Sequence, residues 1–328
     1  MQQEYGPSGN PINRPVISFK GDGGTYFGIL IVNMLLTIIT LGLYYPWAKA
    51  KRLQYLYSST EMEGSRFEWS GTGNEMFKGF IIVVAAIVGY YILAFAIGAL
   101  GLTGPVSGTL IALTYVFIVF LLIPYAIHGA NRYHWSRTSW RAIRFGYRGD
   151  RTEFIKLWAK ELLLTLITAG IYGSWMTMNI RNYLLRNLRF GSGEFFYDGD
   201  GWEYFKLNLK GCILTVLTLG IYSFWWQADI FRYYIDNIRL TSKDNKVLEC
   251  RSTATGGELA GLLIVNMLML VFTFGIAYAW IQIRTIEFVM NHVEIRGDLE
   301  LRELRQTEEE YRNSTGENLA DMLDLSII

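Results

Sequence analysis

The chain has 328 residues, of which 51% are hydrophobic, 15% aromatic and only 18% charged, and its formal net charge at pH 7 is +1. Soluble domains carry about 25% charged residues, so this composition favours a lipid environment, and a net charge near zero gives no sign of nucleic-acid binding. Cys212 and Cys250 lie in segments of different polarity, which argues against a structural disulfide or a cysteine-based metal site.

The first segment, residues 1–17, is rich in proline, glycine and asparagine and is predicted to be disordered. It lacks a basic stretch followed by an apolar one, so no cleaved signal peptide is expected. The first apolar segment is then expected to act as the membrane-insertion signal.

Residues 18–73 contain an apolar helix, a turn, and a basic aromatic helix. The turn region, residues 37–47, reads Thr-Ile-Ile-Thr-Leu-Gly-Leu-Tyr-Tyr-Pro-Trp. Thr37 and Thr40 are three residues apart and share one helix face, while Gly42 permits the helix to end. Lysine and arginine beside tyrosine and tryptophan favour a second helix that lies at the level of the lipid headgroups.

A long apolar block follows. Residues 79–131 contain no Asp, Glu, Lys or Arg, and they are numerous enough for two spans of about 20 residues each. Glycine and proline in residues 101–105 suit a turn between these spans. Residues 74–131 are therefore predicted to form a central transmembrane hairpin.

The pattern of the first segment recurs three times. Residues 165–175, 215–225 and 270–280 place threonine, glycine and tryptophan at the spacing found in residues 37–47, although the last copy is weaker. Alternating polar and apolar residues between glycines predict short extended segments between the copies. The predicted organisation is repeat one at 18–73, repeat two at 132–195, repeat three at 196–253 and repeat four at 254–295, with a charged C-terminal tail at 296–328.

These features predict an α-helical integral membrane protein with four internal helix-turn-basic-helix repeats, short extended segments between them and a central transmembrane hairpin. Basic residues concentrate near span ends, at residues 49–66 and 132–160, and should lie on the cytoplasmic side. If each apolar helix simply crossed the membrane, however, the basic helix of repeat two would lie on the outer side. Two arrangements remain open: copies that alternate in orientation, and copies that are re-entrant.

The quoted motifs carry a family resemblance. Phe19-Lys-Gly21, the Thr-Leu-Gly-Ile-Tyr-x-x-Trp of residues 218–225, and the Arg-x-x-Tyr at Arg52 resemble the YjgN-type bacterial inner-membrane proteins, a family of unknown function. The resemblance covers roughly residues 18–295. It implies a multi-pass protein of the bacterial cytoplasmic (inner) membrane and supplies no catalytic residues.

The chain shows no recognisable catalytic constellation, so we predict neither an enzyme, nor a cofactor, nor a metal site. Polar residues within the apolar helices are candidates for either a polar path or helix packing: Asn33, Thr37, Thr40, Thr165, Thr168, Thr215, Thr218, Asn266 and Thr273. Basic residues of the second helices are candidates for contacts with lipid headgroups: Arg52, Arg181, Arg232 and Arg284.

Two functions fit this sequence. One is a transporter or channel-like protein whose repeats carry buried polar residues. The other is a membrane scaffold or lipid-interacting protein that holds partners through its basic helices and its C-terminal tail. Membrane lipids are expected partners in both cases, with a protein partner at the tail in the second, and nucleic acid in neither.

Overall fold

A computed structural model of the chain describes residues 16–99, 104–242, 244, 246–297, 299, 301 and 304–306. It contains ten strands, and a helical hairpin lies within each of five strand pairs. Unit 1 consists of β1 (Ile17–Phe19), α1 (Gly23–Ile39), α2 (Tyr45–Ser59) and β2 (Thr60–Met62). Unit 2 consists of β3 (Ser65–Trp69), α3 (Gly73–Ala99), α4 (Pro105–Phe117), a π-helical segment (Ile118–Leu122), α5 (Ile123–Ser136) and β4 (Thr138–Trp140).

The three remaining units have the organisation of unit 1. Unit 3 consists of β5 (Ile143–Tyr147), α6 (Arg151–Ile167), α7 (Gly173–Arg186) and β6 (Leu188–Phe190). Unit 4 consists of β7 (Gly193–Tyr197), α8 (Gly201–Leu217), α9 (Ser223–Asp236) and β8 (Ile238–Thr241). Unit 5 consists of β9 (Val247–Ser252), α10 (Gly256–Phe272), α11 (Tyr278–Asn291) and β10 (Val293–Gly297).

The predicted fold class is wrong. Among the residues described here, no helix combines the length and the apolar character needed to cross a membrane. The short extended segments pair into a single ten-stranded antiparallel sheet in which neighbours follow chain order. The predicted central transmembrane hairpin is unit 2 of this sheet, flanked by β3 and β4. Alternation predicted the extended segments, but strands of three to six residues do not indicate which segments pair, which is why the sequence pattern hid the sheet.

All five hairpins leave the sheet at the same end of its strands. Consecutive strands are antiparallel, so alternate connections lie at opposite ends of the strands, and the connections between units are short turns. Left-handed residues form two of these turns, Glu63-Gly64 and Arg141-Ala142. Every helical connection therefore lies at the other end of the strands. The charge pattern had left open that hairpins alternate in direction, and this arrangement does not occur among the described units.

The units form a closed ring. Each second helix packs against the first strand and the first helix of the next unit, and α11 makes these contacts with β1 and α1. Within units 1, 3 and 4, a tyrosine of the second helix bonds the residue that caps the first helix. The Tyr233 hydroxyl, for example, lies 2.7 Å from the Asp200 amide nitrogen and 2.8 Å from its carbonyl oxygen. These bonds tie the two helices together at the sheet.

The largest apolar core lies against the sheet. Trp140, Phe145, Phe190 and Leu248 belong to it, and three leucines of the C-terminal segment complete it. Leu299, Leu301 and Leu304 are 0%, 3% and 4% exposed. Arg305 donates its amide to Ser192 at the turn before β7. The start of the predicted charged tail is thus part of the core, whereas residues 307–328 and residues 1–15 lie outside the described chain.

Candidate functional site

The turn at the tip of each hairpin in units 1, 3, 4 and 5 is built by one threonine. Thr218 ends α8, donates its hydroxyl to the Leu214 carbonyl at 2.7 Å, and accepts the Tyr222 amide at 2.9 Å. Thr40, Thr168 and Thr273 make the same pair of bonds. These hydroxyls satisfy backbone groups that the end of the helix would otherwise leave without partners.

The residue after each of these threonines has a left-handed backbone. Leu41, Ala169, Leu219 and Phe274 have φ between 50° and 52°, and a glycine with positive φ follows each of them. This conformation costs a non-glycine residue about 1 kcal/mol. Leu41, Leu219 and Phe274 nevertheless stand 94%, 95% and 96% exposed. The fold therefore places large apolar side chains, at a conformational cost, at the outermost point of three hairpins.

The exposed apolar surface extends from each tip toward the sheet. In α1, α6, α8 and α10, the exposed large apolar side chains lie between the middle and the end of the helix, with Trp202 as the exception. Half of a 17-residue helix is about 12 Å long, close to the ~15 Å of hydrocarbon in one bilayer leaflet. Lys160 and Lys210 stand eight residues before the tip threonines, at the inner limit of this surface. We call this apolar surface the tip surface.

A tryptophan near the start of the second helix joins each hairpin to the next. A Cβ atom on Gly73 would lie 2.3 Å from Cδ1 of Trp47, so only glycine fits there. The same relation links Trp175 with Gly201, Trp225 with Gly256, and Trp280 with Gly23. Unit 2 has Tyr125 at the tryptophan position, and the Arg151 guanidinium lies 4.2 Å from its ring centroid. A smaller ring and a larger, charged side chain have thus replaced the tryptophan and the glycine.

The predicted headgroup arginines lie against other parts of the protein. The Arg181 guanidinium stacks 3.8 Å from the centroid of the Tyr234 ring. Arg232 donates to the Ala254 carbonyl at 2.7 Å, and Arg284 contacts the Met269 sulfur at 3.4 Å. Arg52 lines a small groove between α1 and α2. Arg181, Arg232 and Arg284 thus serve contacts within or between hairpins.

The predicted polar-path residues do not meet in a shared path. Asn33 donates to the Ala48 carbonyl and Asn266 to the Thr285 hydroxyl, in each case across their own hairpin. Thr37 and Thr165 donate to carbonyls of their own helices, at Asn33 and Glu161. Thr215 is partly buried, and its hydroxyl has no hydrogen-bond partner among the described residues. The bonds of Asn33, Asn266, Thr37 and Thr165 therefore each stay within a single hairpin.

Glu161 is a buried charged residue that the candidate set does not contain. Its side chain is 0% exposed and accepts a hydrogen bond from the Asn179 amide at 2.8 Å. It occupies the position of Asn33 and Asn266, eleven residues after the capping residue. That common spacing is visible in the sequence once the capping residues Asp22, Asp150 and Thr255 are aligned.

Comparison with known proteins agrees with the family resemblance. A family model described as "Bacterial protein of unknown function (DUF898)" matches residues 14–202, 193–245 and 245–322. Relatives named inner membrane protein YjgN include one from Escherichia coli O157:H7, 37% identical over 129 residues, which are 39% of this chain and 30% of the relative.

Two further relatives carry the same name. The protein of Escherichia coli strain K12 is 34% identical over 153 residues, 47% of this chain and 35% of the relative. The protein of Salmonella typhimurium strain LT2 is 31% identical over 155 residues, 47% of this chain and 36% of the relative. The chain thus covers about a third of the length of these relatives. No solved structure matches it.

Proposed function

The chain belongs to the bacterial protein family of unknown function DUF898, and from that membership we propose that it is a lipid-interacting protein of the inner membrane. Its relatives are named inner membrane proteins. In this proposal the tip surface enters one leaflet of the bilayer, and the sheet lies outside the lipid.

The exposed tips carry this proposal. An exposed leucine or phenylalanine at φ near 50° stabilises nothing in the isolated chain, since it is 94–96% exposed and adopts a costly backbone conformation. Insertion into hydrocarbon would bury these side chains and contribute roughly 1.5–3 kcal/mol for each one. The closed ring holds the hairpins together, so several tips can act on the same membrane.

The charge distribution supports the same orientation. No charged residue occurs between Glu161 and Arg181, or between Lys210 and Asp229, which are the stretches that include two of the tips. Lysines stand where the headgroups would lie, about 12 Å from the tips. Backbone groups of the turns are satisfied by the tip threonines, as burial in lipid requires.

Lipid interaction fits the geometry better than transport does. A transporter needs polar groups from different repeats that face one site, whereas Asn33, Glu161 and Asn266 bond within their own hairpins. The absence of an enzymatic activity and the protein partner at the C-terminal tail stay predictions.

Vesicle flotation tests the proposal. The full chain, purified in mild detergent, is mixed with vesicles of Escherichia coli polar lipids, and the detergent is removed. We expect the wild type to float with the vesicles and the triple variant L41D/L219D/F274D to lose most of this binding. The control is V16D, since Val16 is 70% exposed but precedes β1 at the sheet. Equal flotation of the triple variant and V16D would refute the proposal.

A further inference from the structure

A groove of about 560 Å³ lies between α8 and α9 in unit 4. Its charged lining is balanced, with three cations and three carboxylates: Lys206, Lys210, Arg232, Glu203, Asp229 and Asp236. A groove with this lining suits a ligand that carries both signs of charge, because a ligand with only one would meet repulsion from half of the lining.

The groove is polar at one end and apolar at the other. Glu203, Lys206 and Asp236 lie toward the sheet, whereas Tyr222 and Trp226 lie toward the tip. Trp226 packs over Gly211, and its ring nitrogen donates to the Asn208 side chain at 3.2 Å. The tryptophan therefore forms a fixed apolar wall at the end that faces the lipid in the proposed orientation.

Two of the six charged groups are held by the backbone. The carboxylate of Asp236 accepts the Ser252 amide at 2.6 Å, and Arg232 donates to the Ala254 carbonyl. Both partners belong to the next unit, where Ser252 ends β9 and Ala254 lies in the connection from β9 to α10. Lys210 makes no ion pair within the described part of the chain, so its ammonium group is available to a ligand.

The corresponding groove of unit 1 has a different lining. It encloses about 260 Å³, and the charged residues among its described lining are Lys49 and Arg52. Gly211 and Asn33 are equivalent, each eleven residues after the capping aspartate, so the two grooves occupy the same face of their hairpins. The three carboxylates distinguish unit 4 from unit 1.

We propose that the unit 4 groove binds the headgroup of a phospholipid that contains both a phosphate and a primary ammonium group, as phosphatidylethanolamine does. This inference rests on the proposed function, which places the groove at headgroup depth. Lys206 and Lys210 would bind the phosphate, while Glu203 and Asp229 would accept charge-assisted hydrogen bonds from the ammonium. The acyl chains would leave past Tyr222 and Trp226 toward the tip.

Flotation with vesicles of defined composition tests this inference. Vesicles contain a fixed fraction of phosphatidylglycerol together with either phosphatidylethanolamine or phosphatidylcholine. We expect the wild type to bind the ethanolamine vesicles about fivefold more tightly, the factor that one charged contact at a membrane surface contributes. E203Q/D229N should abolish this preference, because the groove then lacks the two carboxylates that would accept hydrogen bonds from a primary ammonium and not from a quaternary one.

K206Q/K210Q should likewise lose the preference, with K160Q as the matched control. Lys160 stands eight residues before its tip threonine, as Lys210 does, but belongs to unit 3 and is highly exposed. Equal binding of the wild type to both vesicle types would overturn the inference and leave the proposed function standing. Unchanged preference in E203Q/D229N would also overturn it. Failure of the wild type to bind either vesicle type would instead refute the proposed function.

A soluble headgroup compound tests whether the groove binds an intact lipid or a free metabolite. Glycerophosphoethanolamine, added to the protein in detergent, should bind far more weakly than the intact lipid binds, because it lacks the acyl chains that would lie against Trp226. Binding as tight as that of the lipid would assign the groove to a free metabolite and overturn the lipid part of the inference.

Discussion

Trp280 lies over Gly23, so α11 packs on the first residue of α1. A Cβ on Gly23 would come within 2.3 Å of Cδ1 of this indole, and Phe27 stacks on the same ring with centroids 5.1 Å apart. The pair repeats the relation between consecutive units elsewhere in the chain. It closes the ring and brings together residues that are far apart in sequence.

Substitution of Gly23 tests this closure. Gly23→Val would drive a branched side chain into the indole, and overpacking of this kind costs about 1–3 kcal/mol. We expect a lower midpoint of thermal unfolding in detergent. Gly28→Ala is the control in the same helix, since a Cβ there meets nothing within 4 Å and alanine favours a helix by up to ~1 kcal/mol. A loss of stability in both variants would contradict the argument.

The contact between units 2 and 3 predicts a compensating pair of substitutions. Arg151→Gly removes a cation–π partner of Tyr125 and leaves space beside the ring, and we expect it to destabilise the protein by about 1–2 kcal/mol. Tyr125→Trp in that background would recreate the tryptophan and glycine found at the other four contacts. The double variant should recover part of the lost stability, and additive losses in a double-mutant cycle would show that the pairs are not equivalent.

Thr218 and Thr215 lie on the same helix and should respond oppositely to valine. Thr218→Val removes two hydrogen bonds at the tip, and we expect a loss of about 1–2 kcal/mol. Thr215→Val removes a hydroxyl that has no partner among the described residues, so stability should stay constant or rise. Unfolding midpoints of the two variants decide the matter. A large loss of stability in T215V would show that this hydroxyl has a polar partner, as the predicted polar path requires.

His128 predicts a dependence of stability on pH. Burial lowers the pKa of its ring from 6.5 to about 4, and its Nε2 lies 3.0 Å from the Gly149 carbonyl. The unfolded chain therefore binds a proton more readily than the folded chain between these values. Stability from this group is complete above pH 6.5 and is lost progressively as the pH falls toward 4, by about 3 kcal/mol in total.

The measurement compares unfolding midpoints of the wild type and His128→Gln between pH 7.5 and pH 4. Glutamine can still donate to the Gly149 carbonyl but does not titrate in this window. We expect the variant to lose less stability than the wild type on acidification, since carboxylates contribute equally in both. Parallel curves would show that protonation of His128 does not drive the loss.

Some features of this protein follow from its sequence alone. The spacing of Thr40, Gly42 and Trp47, and of its later copies, was sufficient to indicate the family and the positions of the helix ends. Local chemistry sets these features, because a threonine hydroxyl bonds its own turn and a glycine adopts a left-handed backbone without a side-chain penalty. Such bonds span four residues and need no distant partner.

Other features were decided by the tertiary structure. The sheet was missed because strands as short as β2 acquire stability only by pairing with neighbours, and β4, one of the two partners of β3, lies about 70 residues further along the chain. The common direction of the hairpins follows from that pairing. The exposure of Leu41, Leu219 and Phe274 was also decided by the tertiary structure, since an apolar residue in a sequence does not reveal whether protein or lipid will cover it.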